Sequence, residues 1–196
     1  MGRALSFNRQ ETIDKAMRLF WQRGYEATSM RDLAEELSLP LASLYHSFGD
    51  KQGLYRQTLE AYFLFYVEPR FKSLLHSNDS YEAIKQFFLA TAENCYTDAM
   101  PPGCYLVQSL MELPQSASEL LPIAREFMQQ IESFFGQLIT QARTDNQISS
   151  KESDSVLAHY LVGLLLSIKT QAKMGFSRES ITTYTLLSLQ ALDMST

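Results

Sequence analysis

The sequence predicts an all-α fold, a three-helix N-terminal head followed by a helical bundle. Apolar residues recur at three- and four-residue spacing along most of the 196-residue chain, the period of a one-faced helix. Pro101-Pro102-Gly103 and Pro114 separate those stretches. Residues 28–54 read as two short helices with a tight turn between them, the pattern of a helix-turn-helix.

The elements follow in order. Ahead of the first helix lies a short arm, Met1 to Asn8, with Arg3 and Arg9; arms of this sort can reach a minor groove, but a frayed terminus is the better reading of Arg3. Ile13, Ala16, Met17, Phe20 and Trp21 repeat with a helical period, and Gly24 is placed to close that helix in a left-handed conformation. Trp21 reads as core. Met30, Leu33, Ala34 and Leu37 form the stripe of a second helix, opened by Ser29 and Asp32 as a capping box. Ser38-Leu39-Pro40 breaks it, because Pro has no amide hydrogen and disfavours α geometry before it. In the third helix Leu44 and Phe48 point inward, leaving Ala42, Ser43, His46 and Ser47 mostly on other faces. Spacing alone does not separate this from any helical hairpin in a bundle.

From Asp50-Lys51 a helix runs to about Tyr66 and stops before Pro69. Tyr81 to Thr97 follows, with Ile84, Phe87, Phe88 and Thr91 on one side, and then a short apolar helix from Cys104 to Leu113. A long helix covers about Pro122 to Thr144, with Ile123, Phe127, Ile131, Phe134, Leu138 and Ala142 inward and Asn146 closing it. Asp154 to Lys173 is apolar around much of its circumference, and Ser180 to Leu192 carries an apolar stripe with Ile181, Ala191 and Leu192. A helix apolar nearly all round must be covered on more than one side, by its own core or by a second copy.

Composition sets limits. The net charge is −5, yet residues 1–56 carry a net +1 and residues 57–196 a net −6. That split argues against diffuse coating of DNA and leaves room for one localised contact surface. Apolar runs such as Tyr160–Leu166 are far too short to span a bilayer. The N-terminus lacks a basic stretch followed by an apolar core. Two cysteines suit a reducing compartment, so a cytoplasmic protein with no membrane partner is expected. His46, His76 and His159 lie far apart, no cluster has metal-ligand spacing, and there is no phosphate-cradling glycine loop or Gly-x-Ser-x-Gly elbow. Catalysis, a cofactor and a metal are therefore not expected.

Ala16, Phe20, Gly24, Tyr25, Thr28, Arg31-Asp32-Leu33-Ala34, Leu44-Tyr45, Phe48, Lys51 and Leu54 occur in the order and context that mark the TetR family of bacterial transcriptional regulators. The chain resembles that family (TetR/AcrR-like) from about Phe7 to Ala61. The resemblance implies a DNA-binding domain over residues 1–56, its fourth helix continuing to about 66, and a ligand-binding and dimerisation domain over residues 57–196. It makes Ser29–Leu37 the positioning helix and Leu41–Phe48 the recognition helix, with Leu41, Ala42, Ser43 and His46 facing base edges. Tyr45, Lys51, Thr28 and the start of the positioning helix at Ser29 become phosphate contacts, in line with phosphates fixing register and bases specifying sequence. Two departures stand out: the turn usually carries Gly, a β-branched residue and Ser or Thr, and Ala42 stands where many members have Gly. The groove-facing set is poor in long polar groups, so the operator sequence is not legible.

The resemblance further implies a palindrome-reading homodimer built from the last two helices, through Leu157, Tyr160, Leu161, Leu164, Ile168, Tyr184 and Leu187. Its recognition helices would lie roughly 34–36 Å apart. It implies repression of promoters, relieved when an unidentified small-molecule effector enters a pocket among the middle helices. Candidate lining residues are Phe63 and Tyr66, then Phe88, Tyr96 and Met100, then Cys104, Tyr105, Gln108, Met111 and Glu112, and finally Phe127. Ordinary core explains any one of these better than a ligand contact does, and Glu112 either binds a cationic effector or points to water. Two alternatives stay open: a helix-turn-helix tethering an acidic body that binds a protein partner, and control by oxidation of Cys95 or Cys104, since a thiol at a helix start has a lowered pKa.

Overall fold

A computed structural model describes residues 8–96, 101 and 103–193, and among these every regular element is helical, as the sequence predicts. In chain order they are α1 (Arg9–Arg23), α2 (Met30–Glu36), α3 (Leu41–Phe48) and α4 (Lys51–Tyr62). α4 continues through a π-helical turn (Phe63–Val67) into α5 (Glu68–Leu75). α6 (Ser80–Asn94), α7 (Tyr105–Glu112), a 3-10 turn (Gln115–Leu120), α8 (Leu121–Thr144), α9 (Asp154–Lys173), α10 (Arg178–Leu189) and a last 3-10 turn (Gln190–Leu192) complete the chain. Arg3 and Met100 lie outside the described residues. The chain forms two compact units, Met1–Val67 with Tyr105–Glu126 and Glu68–Cys104 with Phe127–Thr196, so the packing divides it differently from a cut at residue 56.

The first unit is built on aromatic contacts among α1, α4 and the loop after α1. The Tyr55 ring meets Phe20 edge-on at 4.8 Å and Tyr25 at 4.9 Å. Met17, Leu33, Leu44, Leu54 and Leu59 are fully buried around them. Arg9 is not part of an arm. It is the first residue of α1, which Asn8 caps through a 3.2 Å bond from the Glu11 amide to its side chain. Gly24 closes α1 with φ 88° and ψ 162°, an extended glycine-only conformation rather than the left-handed one expected. The Ser29–Asp32 capping box forms, at 2.7 and 3.1 Å. α2 ends in a Schellman motif, with the Leu39 amide on the Ala34 carbonyl at 2.9 Å and the Ser38 amide on the Glu35 carbonyl at 3.1 Å. Ser38 supplies the left-handed residue (φ 53°) that the motif needs, a position where glycine carries no strain.

α7 belongs to this unit through a buried chain of hydroxyls. Ser109 donates to the Tyr105 carbonyl at 2.7 Å and Thr58 to the Tyr55 carbonyl at 2.6 Å. Each hydroxyl has one proton to give, so the phenols act as donors: Tyr55 to Ser109 and Tyr105 to Thr58, both at 2.8 Å. All four hydroxyls are thereby paired, and α7 is held to α4 by direction as well as by apolar contact.

Pro69 does not stop the helix begun at Lys51, contrary to expectation. A proline inside an α-helix removes one hydrogen bond and presses its ring on the carbonyl four residues back. Here the π-helical turn ends two residues before Pro69, where bonding five residues apart replaces the bond that proline's missing amide would have made, so the helix runs on to Leu75.

The second unit has an aromatic core of its own. Phe135 stacks on Phe88 at 5.5 Å and meets Phe71 edge-on at 5.0 Å. Ile131, Phe135, Leu138, Ile139 and Ala142 are the buried positions here, whereas Phe127 and Phe134 are half-buried. Asn146 takes the left-handed conformation expected (φ 57°). Arg143 then fixes the α8–α9 connection, bonding Asp154, the Ser150 carbonyl and the Glu152 carbonyl, each at 2.7 Å. Bonds from Thr140 and Arg143 hold the Asp154 carboxyl below its ordinary pKa.

Replacing Ser38 with Gly removes the left-handed strain at more than the cost of the added backbone freedom. Ser38→Gly is expected to stabilise the protein by about 0.5–1 kcal/mol, read as a rise of ~1–4 °C in Tm by calorimetry. An unchanged or lower Tm would contradict this account of the turn.

Candidate nucleic-acid interface

α3 is anchored on one face and open on the other. Leu44 and Phe48 are buried at 0% and 5% exposure, whereas Ala42, His46 and Tyr45, the last 47% exposed, face outward. Leu41 and Ser43 are half-buried. The helix starts at Pro40 without a side-chain cap, and the Ser43 and Leu44 amides bond the Pro40 carbonyl.

The end of α3 is seated directly on the start of α4. Gly49 (φ 79°) turns the chain, and the Asp50 side chain caps α4 by accepting the Gly53 amide at 2.7 Å. A Cβ on Gly53 would lie 2.2 Å from the Phe48 carbonyl oxygen, far inside contact distance, so only glycine permits this approach. On α1, the Arg9 guanidinium donates to the Ser47 carbonyl at 3.1 Å and to the Gln57 side chain at 2.7 Å, and lies 4.8 Å from the centre of the Phe48 ring. The sequence marks neither Gly53 nor Arg9 as part of this junction. A glycine in the first turn of a helix was the available signal for one, and nothing local marked the other's partners, 38 and 48 residues away.

The expected phosphate contacts fare unevenly. Thr28 is fully buried, with its hydroxyl spent on the Gly24 carbonyl at 2.8 Å, so it braces the α1–α2 loop instead of facing outward. Ser29 is exposed, but its hydroxyl caps α2. The Lys51 ammonium sits 4.1 Å from the centre of the Tyr25 ring. Its pKa is lowered by partial burial, against the opposing pull of Glu26 and Asp32. Burial also pushes the Tyr25 phenol up to about 12, keeping it neutral beneath the ammonium.

The expected effector residues fall in both units. In the first unit Phe63 and Tyr105 are buried, and burial pushes the Tyr105 phenol upward. Tyr66 donates to Asp14, which also accepts from Arg18. Met111 is 81% exposed, and Glu112 points to water, accepting from Gln108 at 2.9 Å. In the second unit Phe88 is core, Tyr96 donates to the Phe176 carbonyl at 2.6 Å, and Cys104 and Phe127 are half-buried. Burial raises the Cys95 thiol, which donates to the Thr91 carbonyl at 3.2 Å, so that cysteine is not predisposed to be a thiolate. Of the expected dimer residues, Leu157, Leu161, Leu164 and Ile168 are buried within the chain itself. Tyr160, Tyr184 and Leu187 are exposed, and Val156 and Gly163 share the outer side of α9 with Tyr160.

A helix-turn-helix head on an all-α chain defines a DNA-binding transcriptional regulator. The family model for bacterial regulatory proteins of the tetR family matches residues 13–58. The transcriptional repressor ComR of Escherichia coli is 29% identical over 92% of this chain and 86% of its own length. An uncharacterised helix-turn-helix regulator of Bacillus subtilis, YezE, is 26% identical over 98% of this chain and 100% of its own. Among solved structures, the fold matches a cysteine-substituted CifR bound to a 26-base-pair operator duplex, with a TM-score of 0.89, 24% identity and coverage of 97% of this chain and 100% of that one. Residues 13–58 thus match the tetR-family DNA-binding segment, within a chain similar over most of its length to bacterial transcriptional regulators.

Ordinarily alanine in place of a helical glycine stabilises by about 0.5–1 kcal/mol. At position 53 the sign should reverse, because the added methyl meets a backbone carbonyl that cannot swing aside. Gly53→Ala is expected to destabilise by about 1–3 kcal/mol in urea unfolding and to weaken operator binding. A stabilised variant with unchanged DNA affinity would contradict the seating.

Proposed function

We propose that the protein is a homodimeric repressor that binds a palindromic operator and is released from it by a small-molecule effector. The observation that carries the reading is α3, held by Leu44 and Phe48 on one side while Ala42, Tyr45 and His46 stand free on the other. Leu41, Ala42, Ser43 and His46 read base edges, Leu41 and Ala42 by apolar contact and His46 as the one polar reader. Tyr45, Lys51 and the amide end of α2 at Ser29 hold phosphates. Thr28 acts indirectly, by fixing that amide end.

Dimerisation uses the exposed apolar stripe of α9 and α10, namely Val156, Tyr160 and Gly163 with Tyr184 and Leu187. Two recognition helices roughly 34–36 Å apart then face successive turns of one DNA groove. The repressor name of the relative ComR supports negative control. The effector is expected to act by favouring one spacing of the two heads over another, since a bound ligand shifts DNA affinity by binding the DNA-competent and DNA-incompetent states unequally. No described helix is long and apolar enough to cross a membrane, and a protein with this task works beside the chromosome in the cytoplasm. This is a binding task, requiring no catalysis, metal or cofactor.

Binding to duplexes selected from a random DNA pool tests the reading. A saturable, salt-sensitive complex of two protomers on a palindrome is expected. Lys51→Ala should lower affinity and reduce the slope of log K against log salt by about 0.9 for each phosphate no longer neutralised. Tyr45→Phe should weaken binding without changing the slope. Tyr160→Asp should yield a folded monomer by light scattering with poor operator affinity. Monomeric wild-type protein, or selection of no sequence at all, would contradict the proposal.

A further inference from the structure

The Arg9 side chain touches two other helices at the point that sets the aim of α3. It donates to the Ser47 carbonyl in the last turn of α3 and to the Gln57 side chain on α4, with its guanidinium over the Phe48 ring. Each contact suits the group. Carbonyls at a helix C-terminus carry partial negative charge, a planar fork can serve two acceptors together, and its face stacks on an aromatic ring. The Gly53 seat limits how closely the end of α3 approaches α4. Burial of Leu44 and Phe48 holds α3 by apolar contact, which fixes no direction, and Arg9 adds a directional tie.

We infer that Arg9 is a positioning residue for DNA recognition: it holds the recognition helix at its working angle from α1 and α4, without being the group that neutralises a phosphate. This rests on the reading that α3 enters the groove. A recognition helix with a looser tie still meets the backbone of any duplex but places its base-reading side chains less well. Loss of the tie therefore lowers specific affinity more than non-specific affinity. An arginine that contacts phosphate behaves differently, since its removal weakens every duplex and flattens the salt dependence.

The test uses the full-length protein, the duplex that the wild type selects from a random pool, and a scrambled duplex, each titrated across a salt series. Arg9→Ala is expected to lose about tenfold in affinity for the selected duplex, with scrambled-duplex affinity and salt slope unchanged. Arg9→Lys keeps the charge but not the fork, and should lose as much. Gln57→Ala removes one acceptor and should cause a smaller loss, with no additional loss when combined with Arg9→Ala. Thermal unfolding of each variant accompanies the titrations. If Arg9→Ala does not fold, Arg9→Lys and Gln57→Ala carry the test. A salt slope reduced by about 0.9, with equal weakening on both duplexes, would make Arg9 a phosphate ligand and overturn the inference. So would full rescue by Lys, or unchanged specific binding in all three variants. A wild type that selects no duplex overturns the DNA reading and this inference with it.

Discussion

The reading head depends on one close approach, the Phe48 carbonyl against the bare α-carbon of Gly53. The contact sets where α3 ends and α4 begins, and the surrounding residues follow from it. Gly49 must turn the chain sharply to reach it, Asp50 must cap α4 within a single step, and Lys51 emerges beside Tyr25. Leu44 and Phe48 then fill the space that this junction encloses, which leaves the opposite face of α3 outward. The exposed set on α3 is thus a consequence of backbone packing beneath it rather than of any preference of the exposed residues.

The same unit shows how polar groups specify packing that apolar residues only permit. Aromatic rings of Phe20, Tyr25 and Tyr55 would tolerate small slides against one another. The paired hydroxyls of Tyr55, Thr58, Tyr105 and Ser109 would not, because each bond has one donor and a narrow range of distance. A slide of α7 along α4 would strand buried hydroxyls, at about 1–3 kcal/mol for each one left unpaired. This makes residues 105–126 part of the DNA-reading unit despite their distance from it in the sequence.

Much of the fold was legible because its signals are local. The Ser29-to-Asp32 spacing, the Leu44–Phe48 pair and Asn146 are short-range features, and the apolar run of α9 marked its bounds. Where the outcome depended on distant partners, the reading fell short. Gly53 looks like an indifferent helix residue until the Phe48 carbonyl is placed above it. Thr28 has the side chain of a phosphate ligand, but the Gly24 carbonyl claims its hydroxyl. α9 is apolar on most sides, so periodicity alone could not say which leucines its own unit buries and which residues stay outside. Nothing in the sequence separates an effector-lining aromatic from an ordinary core one, because the interior of either unit meets the same description.

The π-helical turn at Phe63–Val67 bears on how this chain can vary. A turn of that kind holds one residue more than the regular helix would, and the surplus is absorbed locally. A one-residue change of length elsewhere in this rod would rotate everything downstream by about 100° and exchange buried for exposed positions. Phe63–Val67 is thus the stretch of this helix that carries a surplus residue without interrupting its run of hydrogen bonds.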